Sequence, residues 1–323
     1  MSKQSLDTTK VSFLTITEAH AEQRLDNFLL TALKGAPKSL VYRIIRKGEV
    51  RVNKGRAKAD TRLCVNDVVR VPPIKLPEKG ELPNVSKALQ QHLERSIVYE
   101  DTGLLAINKP HGLAVHGGSG VSLGLIEALR QIRPEHTFLE LVHRLDRDTS
   151  GIILVAKKRS VLTALQRMLV NKQGIRKIYW AMVHGFWPAG TTHLHAPLKR
   201  FERQSGERMV MVDEIEGKES HTRTQLLAQG VHYSLLEAEP ITGRTHQIRV
   251  HCQSQGFAIA GDEKYCDKVQ ANIDKQHGVK RLMLHAYQLA FRHPETGEAL
   301  VLTAPLEADF ARTLKSEGCY VDV

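Results

Sequence analysis

The segment His143-Arg144-Leu145-Asp146-Arg147-Asp148-Thr149-Ser150-Gly151 sets carboxylates among arginines immediately before the apolar run Gly151 to Ala156. Guanidinium groups beside a carboxylate favour its charged form, so an aspartate here stays ionised at neutral pH and suits work as a nucleophile or a base. The same nine residues also describe a turn whose Asp and Thr side chains bond their own backbone ahead of a buried strand. Taken alone, they leave both readings open.

Three further segments accompany it. Leu104-Leu105-Ala106-Ile107-Asn108-Lys109-Pro110-His111-Gly112 lies upstream, and Arg176-Lys177-Ile178-Tyr179 and Thr242-Gly243-Arg244-Thr245-His246-Gln247-Ile248-Arg249-Val250-His251 lie downstream. In order and spacing the four segments resemble the pseudouridine synthases that modify ribosomal large-subunit RNA, over a stretch from about Ile97 to the C-terminus. The resemblance implies an isomerase that breaks the bond from uracil N1 to ribose C1′, turns the freed base and rejoins it through C5. That chemistry calls for no redox change, phosphate transfer, metal or cofactor. It does need a carboxylate near sugar and base, a pocket that keeps water from the detached uracil, and donors for charge on the departing base.

By the resemblance, Asp146 is the essential aspartate, acting on uracil C6, on ribose C1′ or on a ribose proton to form a glycal. Asp148, two residues on, is read as a turn cap. Tyr179 is the pocket tyrosine, whose ring stacks on the target base and whose hydroxyl is available for proton transfer; the plainer alternative is a strand aromatic in the core. Arg249 is the cation paired with the aspartate, a partner that burial of a carboxylate demands. Arg244 is the second choice for that role, because it falls in a Thr-Gly-Arg turn where a phosphate contact fits as well. A uridine in folded RNA must leave its stack to reach such a site. Arg144 matches the position that fills the vacated space or holds the flipped nucleotide, while Leu145 packs. Lys109 is expected to touch the RNA backbone from a loop fixed by Pro110 and Gly112. His116-Gly117-Gly118-Ser119-Gly120 lacks the Lys-Ser/Thr ending of a phosphate loop.

These residues need elements to carry them. Strands are expected at Ile97 to Tyr99, Leu104 to Asn108, Gly151 to Ala156, Lys177 to His184, Thr222 to Leu227, Tyr233 to Glu239, Met283 to Phe291 and Ala299 to Thr303, with a hairpin at His293-Pro294-Glu295-Thr296-Gly297. Helices are expected at Ser122 to Gln131, Ser160 to Asn171 and Thr245 to Gln255. Many strands with hairpin connections and few helices make an α+β domain on a mostly antiparallel mixed sheet, and the resemblance implies the pseudouridine synthase fold, with RNA in a cleft across the sheet. Nearer the N-terminus, Leu25, Phe28, Leu29 and Leu33 recur at helical spacing. Leu40, Val41, Ile44 and Ile45 repeat the pattern after Pro37, with Ser39 as the expected cap. Short strands at Val50 to Asn53 and Asp67 to Val71 follow. Helix, helix and small sheet resemble the S4 RNA-binding module of ribosomal proteins, a small α/β domain. Val11 to Ile16 reads either as an edge strand or as a tail. Pro72, Pro73, Pro77, Gly80 and Pro83 mark a stiff linker. The expected domains are an N-terminal segment 1–21, an S4-like domain with linker 22–84 and a catalytic domain 85–323.

Charge agrees with an RNA partner. The chain of 323 residues carries a formal net charge of +11, and its pI is about 9.5. Between Glu22 and Lys75 thirteen lysines and arginines face five acids, so about fifty residues hold +8 of that excess. Arg43, Arg46 and Lys47 lie off the apolar stripe of the second helix, placed to meet phosphates; such contacts dock a protein and carry little sequence information. The expected partner is 23S ribosomal RNA or the assembling large subunit, with transfer RNA as the alternative substrate and a non-catalytic ribosome-assembly factor as the rival class. Retention of Asp146, Tyr179 and Arg249 together argues against mere binding. A protein kinase is excluded by the lack of Gly-x-Gly-x-x-Gly and Asp-Phe-Gly, and a glycoside hydrolase by the lack of a second suitably placed carboxylate. Cys64, Cys252, Cys266 and Cys319 have no metal-ligand spacing and are read as reduced thiols. The sixteen histidines lack any His-Glu-x-x-His pattern, so no metal is expected. No run approaches a membrane span and the first ten residues are polar, so the cytoplasm is the expected compartment; a monomer is the default expectation.

Overall fold

In a computed structural model of the chain, residues 10–33, 36–74, 83–117, 123–203, 206–319 and 321 are described. Lys34, Lys75, Pro77, Gly80, Gly118 to Gly120 and the expected helix start at Ser122 lie outside them. The chain divides into two compact units, 1–81 and 82–323.

In the first unit, helices Leu25–Ala32 and Lys38–Arg46 pack on a four-stranded antiparallel sheet, with Ser12–Thr15 at one edge against Val68–Val71, then Arg51–Val52 and Gly55–Arg56. Leu25, Leu29, Leu33, Val41, Ile44, Leu63 and Val69 form its core. The second helix starts directly after Pro37, whose fixed φ prepares the first turn; Ser39 falls inside the helix and does not cap it. Buried Asp26 ties the two helices together, accepting a fork from Arg24 at 3.1 and 2.7 Å and the Tyr42 hydroxyl at 3.0 Å. The Arg24 guanidinium, ahead of the Tyr42 bond, holds its carboxyl down at about 2.

The second unit is built on a ten-stranded sheet. Strand Ile175–His184 lies between Tyr233–Pro240 and Leu284–Arg292. One side continues through His221–Gln229 to Thr191–His195, the other through Ser150–Ala156 and Leu104–Lys109 to Ile97–Glu100. All seven residues of Ser150–Ala156 are buried. Ile153 and Val155 pack beside Leu125 and Leu129 of helix Leu125–Ile132, whereas Ile152 and Leu154 pack beside Val161 and Leu165 of helix Arg159–Asn171. Cover on both faces is why this strand reads as an unbroken apolar run and not as an alternation. The α+β architecture expected from the pattern is the one observed.

Several elements go beyond the expectation. Strands Thr191–His195 and Leu198–Glu202 are mostly polar, Arg208–Val212 is a short apolar run after one arginine, and helices Lys87–Arg95, Lys268–Gln276 and Ala308–Ser316 each bury two residues or fewer. The helix expected over Thr245 to Gln255 is Gln247–Ser254, because His246 at its N-cap takes φ +53°.

Among the described residues one strand pairing is parallel: His285 and Ala286 beside Ser150 and Gly151. This seam joins the two halves of the sheet. Gly151 has φ +108°, and a Cβ there would lie 2.3 Å from the Ala286 carbonyl oxygen, so no other residue fits without moving a strand. The buried polar groups at the seam are fully accounted for. Burial pushes the His285 imidazole down to about 4 and keeps it neutral. Its Nε2 donates to the Ala304 carbonyl at 3.2 Å, Nδ1 faces the Ser150 hydroxyl at 2.8 Å, and Arg281 donates to that same hydroxyl. Gly151→Ala is therefore expected to cost on the order of 3 kcal/mol or more. Urea unfolding of the full chain reads this as a lowered midpoint for the second unit, and an unchanged midpoint would contradict the close approach.

Candidate active site

Register across the seam aligns one row of residues: Lys109 beside Gly151, Gly151 beside Ala286, Ala286 beside Tyr179, and Tyr179 beside Ala238. Small neighbours on both sides leave the Tyr179 ring room, and it borders a cavity of about 700 Å³. The cavity is also lined by Arg144, Asp146, Lys177, Arg244, His246 and Arg249. Asp146 reaches it because its loop leads directly into the strand at the seam, where the Thr149 amide donates to the Asp146 carbonyl at 3.2 Å.

The Asp146 side chain is 21% exposed. Arg249 Nη1 lies 3.6 Å and His246 Nε2 3.7 Å from its Oδ2, both ion-pair distances that fall short of a hydrogen bond. Its carboxylate accepts no hydrogen bond from the described residues, so its lone pairs stay available. Each neighbour is held by something else. Buried Arg249 gives Nε and Nη2 to Asp262 as a fork, both at 2.7 Å. Asp262, also buried, further accepts the amides of Lys264 and Tyr265 at 3.0 and 3.2 Å. His246 Nδ1 sits 2.7 Å from the Tyr265 hydroxyl, which accepts the Val210 amide at 3.0 Å. With no other acceptor among the described residues, the phenol donates to Nδ1, which puts the ring proton on Nε2, facing Asp146. Burial, opposed by the Asp146 charge, pushes the His246 pKa down, so this imidazole is neutral.

The loop that carries His246 is fixed by Gln247. Its Oε1 accepts the Thr242 hydroxyl at 2.6 Å and the Arg244 amide at 3.0 Å, while its Nε2 donates to the His221 carbonyl and the Thr222 hydroxyl, both at 2.9 Å. Burial, and after it the charge of Asp146, pushes the Tyr179 phenol well above its ordinary value, so it stays protonated. Tyr179 makes no hydrogen bond within the described residues.

The chain matches the family described as RNA pseudouridylate synthase over residues 103–254, and residues 23–69 match the S4 domain. It is 53% identical over 305 residues to "Ribosomal large subunit pseudouridine synthase C" of Pasteurella multocida, covering 94% of this chain and 93% of that one. The chain belongs to the RNA pseudouridylate synthase family. The protein of the same name from Escherichia coli K12 is 48% identical, with 96% of this chain and 97% of that one covered. The solved structure of human RNA pseudouridylate synthase domain containing 4 superposes with a TM-score of 0.58 at 27% identity, over 71% of this chain and 95% of that one. The chain is thus a pseudouridine synthase, an isomerase, with an S4 domain ahead of the catalytic fold.

Within this pseudouridine synthase the geometry revises parts of the residue assignment. Lys109 is fully buried and its ammonium donates to the carbonyls of Pro110, Leu113 and Arg147 at 2.8, 2.9 and 3.0 Å, so it cannot reach an RNA backbone. Its role is internal: it ties its own loop to the backbone just beyond Asp146. Burial pushes its pKa down to about 7. Asp148 does not cap a turn, since its carboxylate takes the Arg147 guanidinium at 2.9 Å. Arg249 lies within ion-pair reach of Asp146, as expected, but its principal partner is Asp262. Arg244 is exposed on the cavity wall with Nε on the Glu219 carbonyl at 3.2 Å, and exposed Arg144 also lines the cavity. His246, Gln247, Asp262 and Tyr265 were missed by sequence reasoning. Gln247 and His246 lie inside the segment Thr242 to His251, whereas nothing in the spacing of Asp262 and Tyr265 signals their return to Arg249.

Asp262→Asn should lower kcat at least about 10-fold with RNA affinity within about threefold, because Arg249 loses the anion that keeps it off Asp146 and small misplacements are costly. Steady-state kinetics with separately measured RNA binding tests this; wild-type kcat would show that Arg249 is positioned without Asp262.

Proposed function

We propose that this pseudouridine synthase isomerises uridines of 23S ribosomal RNA, with Asp146 as the acting carboxylate. The observation that carries the reading is the Asp146 carboxylate, unbonded at a cavity wall, with Arg249 and a neutral His246 3.6 and 3.7 Å away. A cavity of about 700 Å³ has room for one unstacked nucleoside. Support for the large-subunit substrate comes from the relatives' names and from their near full-length match.

The site's groups divide the work. The Tyr179 ring stacks on the extruded uracil while its protonated hydroxyl is a donor. Asp146 engages the base or the sugar on the other side. Arg249 and the Nε2 proton of His246 stabilise negative charge as the glycosidic bond breaks. Arg144 and Arg244, exposed on the cavity wall, hold the phosphates that flank the flipped nucleotide. The enzyme acts in the cytoplasm, where ribosomal subunits assemble, as a monomer.

Docking is assigned to the first unit. Arg43, Arg46 and Lys47 are exposed and make no ion pair among the described residues, so their charge is free for phosphates.

Asp146→Asn is expected to leave RNA affinity within about threefold and to abolish product, read by mapping pseudouridines in ribosomal RNA from cells carrying the variant as their sole copy. Retained wild-type modification would remove Asp146 from the mechanism, and loss of pseudouridine from transfer RNA alone would change the substrate. Reversing charge at Arg43 and Arg46 should weaken RNA binding and lower the slope of log affinity against log salt by about two; an unchanged slope would move the docking surface elsewhere.

A further inference from the structure

Three imidazoles converge on the second unit away from the site just described. His193 and His195 occupy alternate positions of edge strand Thr191–His195, and His221 begins the neighbouring antiparallel strand directly opposite His195. Two-residue alternation puts His193 and His195 on one face, and the register brings in the third ring. The register also places Thr192, Thr224 and Ala238 in the row of Tyr179, so the histidines lie on the other face of the sheet.

His193 Nδ1 and His221 Nε2 are 2.9 Å apart, and the rings of His195 and His221 stack with centroids 3.9 Å apart. One nitrogen from each of the three rings lies within 4.8 Å of the others. A tetrahedral zinc with bonds of about 2.0–2.1 Å holds its nitrogens about 3.3 Å apart, a spacing these limits bracket. We propose that His193, His195 and His221 form a binding site for a divalent cation of the zinc class, three imidazoles supplying the ligands and water the fourth position.

The surroundings fit this assignment. Arg223, the nearby cation on the same strand, is neutralised by its ion pair with Glu239. His251 is not a ligand, because Nδ1 faces the Thr222 hydroxyl at 2.9 Å and Nε2 the Ala196 carbonyl at 3.1 Å. The exposed positions of His193 and His195 leave the open side to water. A bound ion would pin the edge strand to His221, whose amide and carbonyl bond Thr242 and Gln247 of the loop that leads to His246. The site therefore acts as a clamp on the support of that loop and takes no part in the isomerisation.

A second cluster, His184, Cys266 and Asp274, provides the internal competitor. Its members are already engaged, with Asp274 accepting the Tyr233 hydroxyl at 2.9 Å and the Gly261 amide at 2.8 Å, and burial pushes the Cys266 thiol up to about 12.

The test is titration of tag-free full chain with Zn²⁺ and separately with Co²⁺, read by calorimetry and visible absorption. The expected result is one ion per chain, tetrahedral cobalt bands without a thiolate charge-transfer band, and affinity weakened at least 100-fold in His193→Ala/His195→Ala. His195→Gln, which keeps a polar side chain of similar size, should weaken it at least 10-fold with an unchanged melting temperature. Absence of stoichiometric binding, binding equal in the variants, or a thiolate band that vanishes in Cys266→Ser would each overturn the assignment.

Discussion

The Asp262 carboxylate holds the Arg249 guanidinium back from Asp146, and the site depends on that restraint. Arg249 is 5% exposed and Asp262 1%. Left alone, a buried guanidinium would close on Asp146 as a bidentate pair and fill the oxygens proposed to meet a nucleotide. Asp262 takes two of its donors and leaves one nitrogen at 3.6 Å from Asp146. Tyr265 does the same for His246, holding the ring by Nδ1 so that Nε2 stops at 3.7 Å. The result is a carboxylate near charge and a donor but bonded to neither, which is the condition for acting on a substrate.

That restraint has meaning only because Asp146 and Tyr179 come to the same cavity from distant parts of the chain. The parallel seam at Gly151 and Ala286 brings them together. Asp146 precedes the seam by a few residues, and Tyr179 lies one strand beyond it. Lys109 ties its own loop, through the Pro110 and Leu113 carbonyls, to the Asp146 loop, through the Arg147 carbonyl, at the cost of burying an ammonium without a carboxylate bonded to it. The seam, the clamped loop and the Arg249 fork therefore act in series, with strand geometry setting the approach and buried polar groups setting the last ångström.

Much of this was legible in the residues. The strands around Leu104–Lys109, Ser150–Ala156, Ile175–His184 and Tyr233–Pro240 have apolar runs or alternations strong enough to identify within two residues at either end. Asp146, Tyr179 and Arg249 stood out through motif order. What escaped has a common cause, since it depends on contacts between distant segments. Lys109 looked like a surface cation because its loop is rich in turn residues, and only the fold shows three carbonyls closing over it. Asp262, thirteen residues beyond Arg249, follows an unremarkable Ala260-Gly261 turn. His193 and His195 read as an alternation on a polar strand, and their meeting with His221 rests on strand register, which spacing along the chain does not reveal. The polar helices Lys87–Arg95 and Lys268–Gln276 were overlooked because each turns only a narrow face inward, although Asp267 and Gln270 form a capping box.

The proposed mechanism requires Asp146 to face an unstacked uridine across from Tyr179. The most direct measurement is an experimental structure of the full chain bound to an RNA that carries its target uridine as 5-fluorouridine. That nucleotide is expected out of its stack in the cavity, its base on the Tyr179 ring and an Asp146 oxygen within about 3.5 Å of uracil C6 or ribose C1′. A target nucleotide left in its helix, or approached by a carboxylate other than Asp146, would contradict it.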